Sequence, residues 1–452
     1  VLARALRVLD YFTLAFGTMV GAGWLVVMDD WLRRGGPAGA MLGFAIGGLA
    51  LLPVGWVYGR LAGAIPDAAS EVAYTERVFP PPVSLLTGWM MVLAYGIVCP
   101  WEAAAIGKIA AYLLPQLNRW PVEMLWGQPL PRILTGLLLT AVITAVNYRG
   151  IRWSSRLQNW TTLLLWLLFA VFGVAGLLEG HAGNLHPLFA HAPGLSVLLV
   201  LQVVPYFMTG FEAVPKCAEE SVPDFPAEGF LRAMMLAIVV ATAFYVGVVG
   251  VVAWVAPWRE LANRGFLTAA AFERTVGRGW LVQAIFAAAL ASLIKVFNGN
   301  FLAASRLLYA LGRRGLLPER LGDVHRCYRT PAVAVVALGM ATAVVSLGGE
   351  QLLVPIAEVG SLAAGLGWLA SCLACMRLQP ARGARLLGGL GALVAGGLVL
   401  MKLLPVVPGH LTPAEYAALA AWLALGVALG RRGSESRDIG RHGGRGRRGE
   451  LR

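Results

Sequence analysis

Apolar residues fill this chain in long runs, not at every second or every third-to-fourth position. Each run approaches the length of about 20 residues that a helix needs to cross a bilayer, and each is bounded by charges, prolines or glycines. Twelve runs are predicted to span a membrane: residues 11–32, 38–62, 84–114, 131–147, 157–178, 193–217, 230–256, 279–312, 331–347, 351–377, 384–406 and 413–430. Lipid offers no hydrogen-bond partner to the backbone, so a helix is the expected form of every one. The link 257–278 is the longest polar connection and is expected to hold a short surface helix. After Gly430 the pattern stops. Residues 431–452 carry eight Arg against three acidic residues and almost nothing apolar; a tail of that kind cannot bury a core and is predicted to be disordered.

Composition narrows the class. Of 452 residues, 58% are apolar and 13% charged, about half the charged share of an average soluble domain. A water-soluble enzyme, a disordered chain and a collagen-like chain are all disfavoured. The expectation is an all-α polytopic membrane protein without a large extramembrane domain. The first apolar run follows Arg4 and Arg7, is long, and lacks a small-residue cleavage site; it reads as a first span and not as a signal peptide.

The charges set the orientation. With the N-terminus inside, and with charges within two residues of a span end counted with the adjoining loop, 25 of the 37 Lys and Arg fall on one side, eight on the other, and Lys108, Lys295, Arg306 and Lys402 deeper within spans. The bias predicts a multi-pass protein of the cell (cytoplasmic) membrane with both termini cytoplasmic. The net charge of +13 then reflects this bias plus a basic tail drawn to anionic membrane lipid. No aromatic residues interleave the tail, so nucleic acid is not an expected partner. Cys99, Cys217, Cys327, Cys372 and Cys375 form no disulfide framework, and Cys372-x-x-Cys375 lies in an apolar run, where it reads as packing. His181, His186 and His191 stand five apart, a spacing unsuited to a helical metal pair, and no metal or cofactor is expected. There is no Walker motif, no dinucleotide fingerprint and no nucleophile–base constellation, so an enzyme is not expected.

Two spans contain sequence that an unbroken membrane helix avoids. Span 1 holds Gly17-Thr18-Met19-Val20-Gly21-Ala22-Gly23, and span 6 holds Pro205-Tyr206-Phe207-Met208-Thr209-Gly210-Phe211-Glu212. A glycine inside a helix costs about 1 kcal/mol relative to alanine, and clustered glycines invite a break. Close packing of helices through Gly17-x-x-x-Gly21 is the competing reading. Position decides between them. Spans 1 and 6 are five apart and run in opposite directions, and interrupted helices at matching places in two halves point to a transport site.

The chain resembles the amino acid–polyamine–organocation superfamily of secondary transporters. The resemblance rests on GTMVGAG in span 1, PYFMTGFEAVPKCAEE in span 6 and SRLLYALGRRGLLPERLGDVHRCYRTP leaving span 8, and on the order of spans 1–10. It implies the LeuT-type architecture of 12 transmembrane helices, a 5+5 inverted repeat with helices 1 and 6 broken plus two peripheral helices. The first repeat would cover residues 1–180 (spans 1–5) and the second 181–380 (spans 6–10), with spans 11 and 12 in 381–430 and the tail in 431–452. In such a site, the N–H groups of broken helix 1 near Val20, Gly21, Ala22, Gly23 and Trp24 suit a carboxylate. Thr18 and Met19 flank them. Carbonyls near Tyr206, Phe207 and Met208, beside Gly210, suit an ammonium group, and Tyr206 or Phe207 would close over the ligand.

Charges within spans are the remaining clue, because each costs about 2.5–3.5 kcal/mol at the bilayer centre on insertion scales. Glu102 and Lys108 lie in span 3, Glu212 in span 6, Lys295 in span 8, Glu358 in span 10 and Lys402 near the end of span 11, where it is expected to snorkel. Glu212 matches an acidic family position linked to gating and protonation. Many family members place a lysine in span 5 where sodium would sit, but the matching stretch Gln158–Trp166 has none. By the resemblance, Lys295 falls where sodium-coupled relatives carry a span 8 hydroxyl. It would supply the missing cation to carbonyls near Phe16 to Met19, and its protonation cycle gives proton coupling a second route. Pro66–Tyr74 and Trp24 depart from the family pattern and bear on substrate identity. The expected function is a permease moving amino acids by alternating access, through proton coupling or exchange. The alternatives are an amine or polyamine transporter and a transporter-like amino acid sensor with little flux.

Overall fold

The computed structural model describes residues 4–119, 124–125, 128–261 and 279–446. Helices joined by loops make up this region, with one short antiparallel pair, β1 (Met124–Leu125) with β2 (Gln128–Pro129). The helices are α1 (Val8–Met19), α2 (Trp24–Ala50), α3 (Leu52–Ala64), α4 (Glu71–Thr75), α5 (Pro81–Gly96), α6 (Val98–Leu113), α7 (Gln116–Arg119), α8 (Leu130–Arg149) and α9 (Ile151–Glu179). They continue as α10 (Pro193–Leu201), α11 (Val204–Met208), α12 (Ala213–Lys216), α13 (Ala227–Val255) and α14 (Trp258–Leu261). The last five are α15 (Gly279–Arg313), α16 (Ala332–Ser346), α17 (Leu353–Leu378), α18 (Arg382–Leu403) and α19 (Pro413–Gly446). Pro81, Pro193 and Pro413 open three of these helices, at the position where a missing N–H costs nothing.

Nine helical stretches among the described residues are long and apolar enough to cross a membrane. Twelve spans were expected, and the difference has a local cause. The first expected span is cut at Val20–Gly23, which leaves α1 only 12 residues long. Its outer part then runs into the second span as one stretch, Trp24–Ala64, joined through a non-helical Gly36 at φ 65° followed by Pro37. The sixth is cut into α10, α11 and α12, each too short to cross alone. The ninth, α16, is 15 residues long. The expected surface helix of the 257–278 link is only partly in view, as the four-residue α14, and 262–278 lie outside the described residues.

Helix α19 extends to Gly446, past the end of its apolar stretch at Gly430. One expectation at the C-terminal end is corrected. Lys402 does not snorkel: it is 1% exposed and pairs with Glu358 on α17.

The core lies where the short helices are. Every residue from Leu14 to Met28 is buried, as is every residue from Gln202 to Ala218. Around them, α1 packs on α13 and α15, α11 packs on α17, and α17 packs on α18. The outer helices present apolar residues outward, with Leu138 68% exposed, Val344 68% and Leu393 73%. Large apolar side chains facing out on several helices are the face a bilayer covers. The chain is a multi-pass helical membrane protein.

Candidate functional site

Both helix interruptions are present, each displaced a few residues towards the C-terminus of the stretch that predicted it. Gly17 is still helical; α1 ends at Met19, and Val20 is extended at φ −108° and ψ 112°. In the second break α11 ends at Met208, Thr209 is extended, and Gly210 takes φ 143°. That φ favours glycine, since a Cβ would be strained there. Space demands it as well: a Cβ on Gly210 would lie 2.6 Å from Met19 N and 2.8 Å from the carbonyl carbon of Thr18. The two breaks therefore cross backbone to backbone.

At the crossing, one side chain ties the breaks together. The Tyr245 hydroxyl on α13 lies 2.7 Å from Met19 O and 3.3 Å from Phe207 O, and its single proton serves the nearer carbonyl first. Asn300 on α15 donates its side-chain amide to Val296 O at 3.0 Å and reaches Thr18 O at 3.4 Å. Leaving a buried acceptor unpaired costs about 1–3 kcal/mol. Tyr245→Phe is therefore expected to lower the thermal unfolding midpoint of the detergent-purified protein. An unchanged midpoint would show that the hydroxyl does not hold the crossing.

A cavity of about 20 Å³ opens beside the crossing, room for roughly one water. Thr18, Met19, Gly21 and Gly23 line it from the first break. Tyr206, Phe207 and Thr209 line it from the second, and Trp101, Glu102, Tyr245 and Val296 close it. At one end of the cavity wall α2 begins, and its first bonds run from Leu25 N to Ala22 O and from Val26 N to Gly23 O. The N–H groups of Gly21, Ala22 and Gly23 precede those bonds, which is the anion-favouring end of a helix. The aromatic wall is layered: Phe207 meets Trp31 edge-on at 4.7 Å, and Tyr206 lies 6.0 Å from Trp101.

The other predicted residues have separate places. Val20, Ala22, Trp24 and Met208 are buried behind the cavity wall, and Gly210 forms the crossing itself. Glu212 is fully buried on the far side of the second break, where Trp368 Nε1 and Gly210 N donate to its two oxygens at 3.0 Å each. Lys295 is buried too, with its ammonium 5.4 Å from the Phe16 ring. It has no hydrogen-bond partner among the described residues. The carbonyls it was expected to satisfy are bonded otherwise in this conformation: Val20 N donates to Phe16 O, and Tyr245 to Met19 O. Glu102 lines the cavity, and its Oε2 has no partner among the described residues.

Ionic clusters close both ends of the bundle. At one end Arg306 pairs with Glu220 at 3.1 Å, Arg313 with Glu219 at 2.7 Å, and Arg314 with Asp67 at 2.5 Å and with Glu76. Lys216 pairs there with Glu71 at 2.6 Å, both fully buried. At the other end Arg34 lies 2.9 Å from Glu358, which also pairs with Lys402, and 2.8 Å from Asp30. Sequence reasoning missed Tyr245, Asn300, Trp101 and the Glu71–Lys216 pair. It weighed only charges within spans, and uncharged polar residues such as Tyr245 and Asn300 were a signal it passed over.

Comparison with known proteins places this geometry. Residues 6–427 match the family described as amino acid permease. The chain is 23% identical to the amino-acid permease RocE of Bacillus subtilis, over 81% of this chain and 79% of that one. It is 24% identical to the branched-chain amino acid permease BcaP of Bacillus subtilis, over 80% and 79%. It is 27% identical to the vacuolar cationic amino acid transporter 4 of Arabidopsis thaliana, over 84% of this chain and 64% of that one. These relatives are permeases and transporters, not enzymes. With two interrupted helices crossing at a buried cavity and a family match over nearly its whole length, the chain belongs to the amino acid permease family.

Proposed function

We propose that this permease is a secondary active transporter that carries an amino acid across the cytoplasmic membrane by alternating access. In this reading the chain has twelve spans with both termini cytoplasmic, and residues 1–180 and 181–380 form two inverted five-helix repeats around the crossing. The observation that carries it is the crossing itself. The N–H end of α2 and the carbonyl end of α11 meet at one small cavity, offering donors to a carboxylate and acceptors to an ammonium. The α-amino acid backbone presents those two groups a short distance apart. The substrate sites are Thr18, Met19, Gly21, Gly23, Tyr206 and Phe207, with Val20, Ala22, Trp24, Met208 and Gly210 shaping them. Both ends are closed by ion pairs, as an occluded stage of the cycle requires.

Counterflow of labelled substrate into liposomes, with a panel of amino acids and amines, tests the reading. Exchange of at least one amino acid is expected. Thermal stabilisation by an amino acid without any flux would replace the transporter by a sensor. A second reading has its own observation: Glu102, which faces Lys295, accepts no hydrogen bond at Oε2 among the described residues and lines the cavity, which favours a substrate with a further cationic group. In that case lysine, arginine or a polyamine should compete with the labelled substrate far better than alanine or leucine.

Lys295 serves in this proposal as a built-in cation that replaces sodium, supported by its burial beside α1. Uptake is expected to be unaffected by replacing sodium with choline. Lys295→Ala should slow transport and Lys295→Thr should make it respond to sodium. A wild-type requirement for sodium would remove the role.

A further inference from the structure

Behind the second break lies a buried charge cluster that the substrate site does not use. Glu71 comes from α4, Glu212 and Lys216 from the cap and body of α12, and all three are 0% exposed. Lys216 Nζ donates to Glu71 Oε1 at 2.6 Å and to the Glu212 backbone carbonyl at 2.9 Å. Tyr58 on α3 donates to the same Glu71 oxygen at 3.0 Å, and Ser371 on α17 donates to the Tyr58 hydroxyl at 3.0 Å. The remaining titratable neighbours are Tyr74 on α4, Tyr95 on α5, Cys372 on α17 and Cys217, which follows Lys216 and borders the Arg306–Glu220 pair. Those are phenols and thiols, groups that ordinarily ionise above neutral pH. Two carboxylates thus stand beside one ammonium, which bonds the side chain of Glu71 and only the backbone of Glu212. Fully ionised, the cluster carries a net charge of −1 with all three side chains fully buried, and an uncompensated buried charge is among the costliest arrangements a protein can hold.

We infer that Glu71, Lys216 and Glu212 form a single proton-binding unit, which takes up one proton when the Lys216 end of the bundle is closed and releases it when that end opens. This rests on the transporter reading and adds the carrier of the coupled ion. The bonding assigns the proton's place. Glu71 is held by the Lys216 ammonium and the Tyr58 hydroxyl, partners that suit an ionised carboxylate. Glu212 accepts only from the neutral donors Trp368 Nε1 and Gly210 N. It is the carboxylate left without a direct counter-charge, and it takes the proton. Opening this end wets the cluster and removes the reason to keep it neutral. Because Gly210 N is bonded to Glu212, the charge state is tied directly to the break that meets Met19.

Charge counting yields a test that mere loss of an ion pair would not pass. In liposomes with the membrane potential held at zero, one coupled proton makes the accumulation ratio of a neutral amino acid change about tenfold per unit of imposed pH gradient. Glu71→Gln leaves Lys216 and Glu212 neutral with no proton, so the ratio should stay near unity at every gradient while counterflow persists. Glu71→Gln combined with Lys216→Gln leaves Glu212 alone, again one charge short, and the tenfold dependence should return. Accumulation by Glu71→Gln that still follows the gradient would overturn the inference. So would a double variant that exchanges substrate and stays uncoupled. Should Glu71→Gln fail to fold, Glu212→Gln reads the same balance from the other carboxylate. Counterflow in the wild type without any proton-driven accumulation would sink this inference and leave the permease standing. Absence of counterflow for every compound tried would sink the transporter reading as well.

Discussion

Gly21→Leu is expected to abolish binding of the transported amino acid in a protein that still folds. A Cβ at Gly21 would lie 2.3 Å from Val296 Cγ2 and 3.5 Å from Ser292 O. The leucine side chain would then have to occupy a cavity of about 20 Å³ that the ligand itself must enlarge. Overpacking of this kind costs about 1–3 kcal/mol in a core, and here the intruding atoms also cover the N–H groups meant for a carboxylate. Affinity should fall at least about 100-fold, on the order of 2.7 kcal/mol, read by isothermal titration or ligand-induced thermal stabilisation. Gly21→Ala should give a smaller loss, because one methyl of Val296 is all that must yield. Size-exclusion profile and helical circular dichroism report folding. Unchanged affinity in a folded Gly21→Leu protein would remove the first break from the site.

Glu212→Gln is expected to flatten the pH dependence of uptake. If closure needs a proton on the Glu212 cluster, as inferred above, uptake should rise as the outside is acidified and fall as it is made alkaline. Glutamine stays neutral at both extremes. Its amide keeps an acceptor for one of the two donors, Trp368 Nε1 or Gly210 N, and turns an N–H towards the other. The rate should therefore drop for structural reasons too, and the profile, not the rate, carries the test. Glu212→Asp restores the titratable group and should restore the slope even if it remains slow. A glutamine variant with the wild-type profile would mean that the proton travels elsewhere.

Hydropathy placed the helices well because lipid imposes one rule on every span. Ala227–Val255, Ala332–Ser346 and Leu353–Leu378 each begin and end within three residues of the apolar run that predicted them. The breaks were legible because glycine and proline act on their own backbone. The partners were not. Glu71 and Lys216 are 145 residues apart, and Glu358 and Lys402 are 44 apart. Nothing in the local pattern separates a lysine at a span end that pairs inward from one that reaches water. Lys402 reads as a snorkelling residue for this reason. Tyr245 shows the converse: one hydroxyl in an apolar helix is an ordinary residue until two broken helices are folded against it.

The Arg34 cluster has an arithmetic of its own. Asp30 and Glu358 face Arg34 and Lys402, two charges of each sign. Asp30 and Arg34 stand four apart on α2, whereas Glu358 and Lys402 sit on α17 and α18, which pack together. Cutting the cluster between α2 and α17 breaks one contact, Arg34 with Glu358, and leaves a complete ion pair on either side. Under the alternating-access proposal, parting these helices would strand no bare charge in the membrane. The seam is perforated along its neutral line, so the same salt bridges that hold this end shut set only a small toll on opening it.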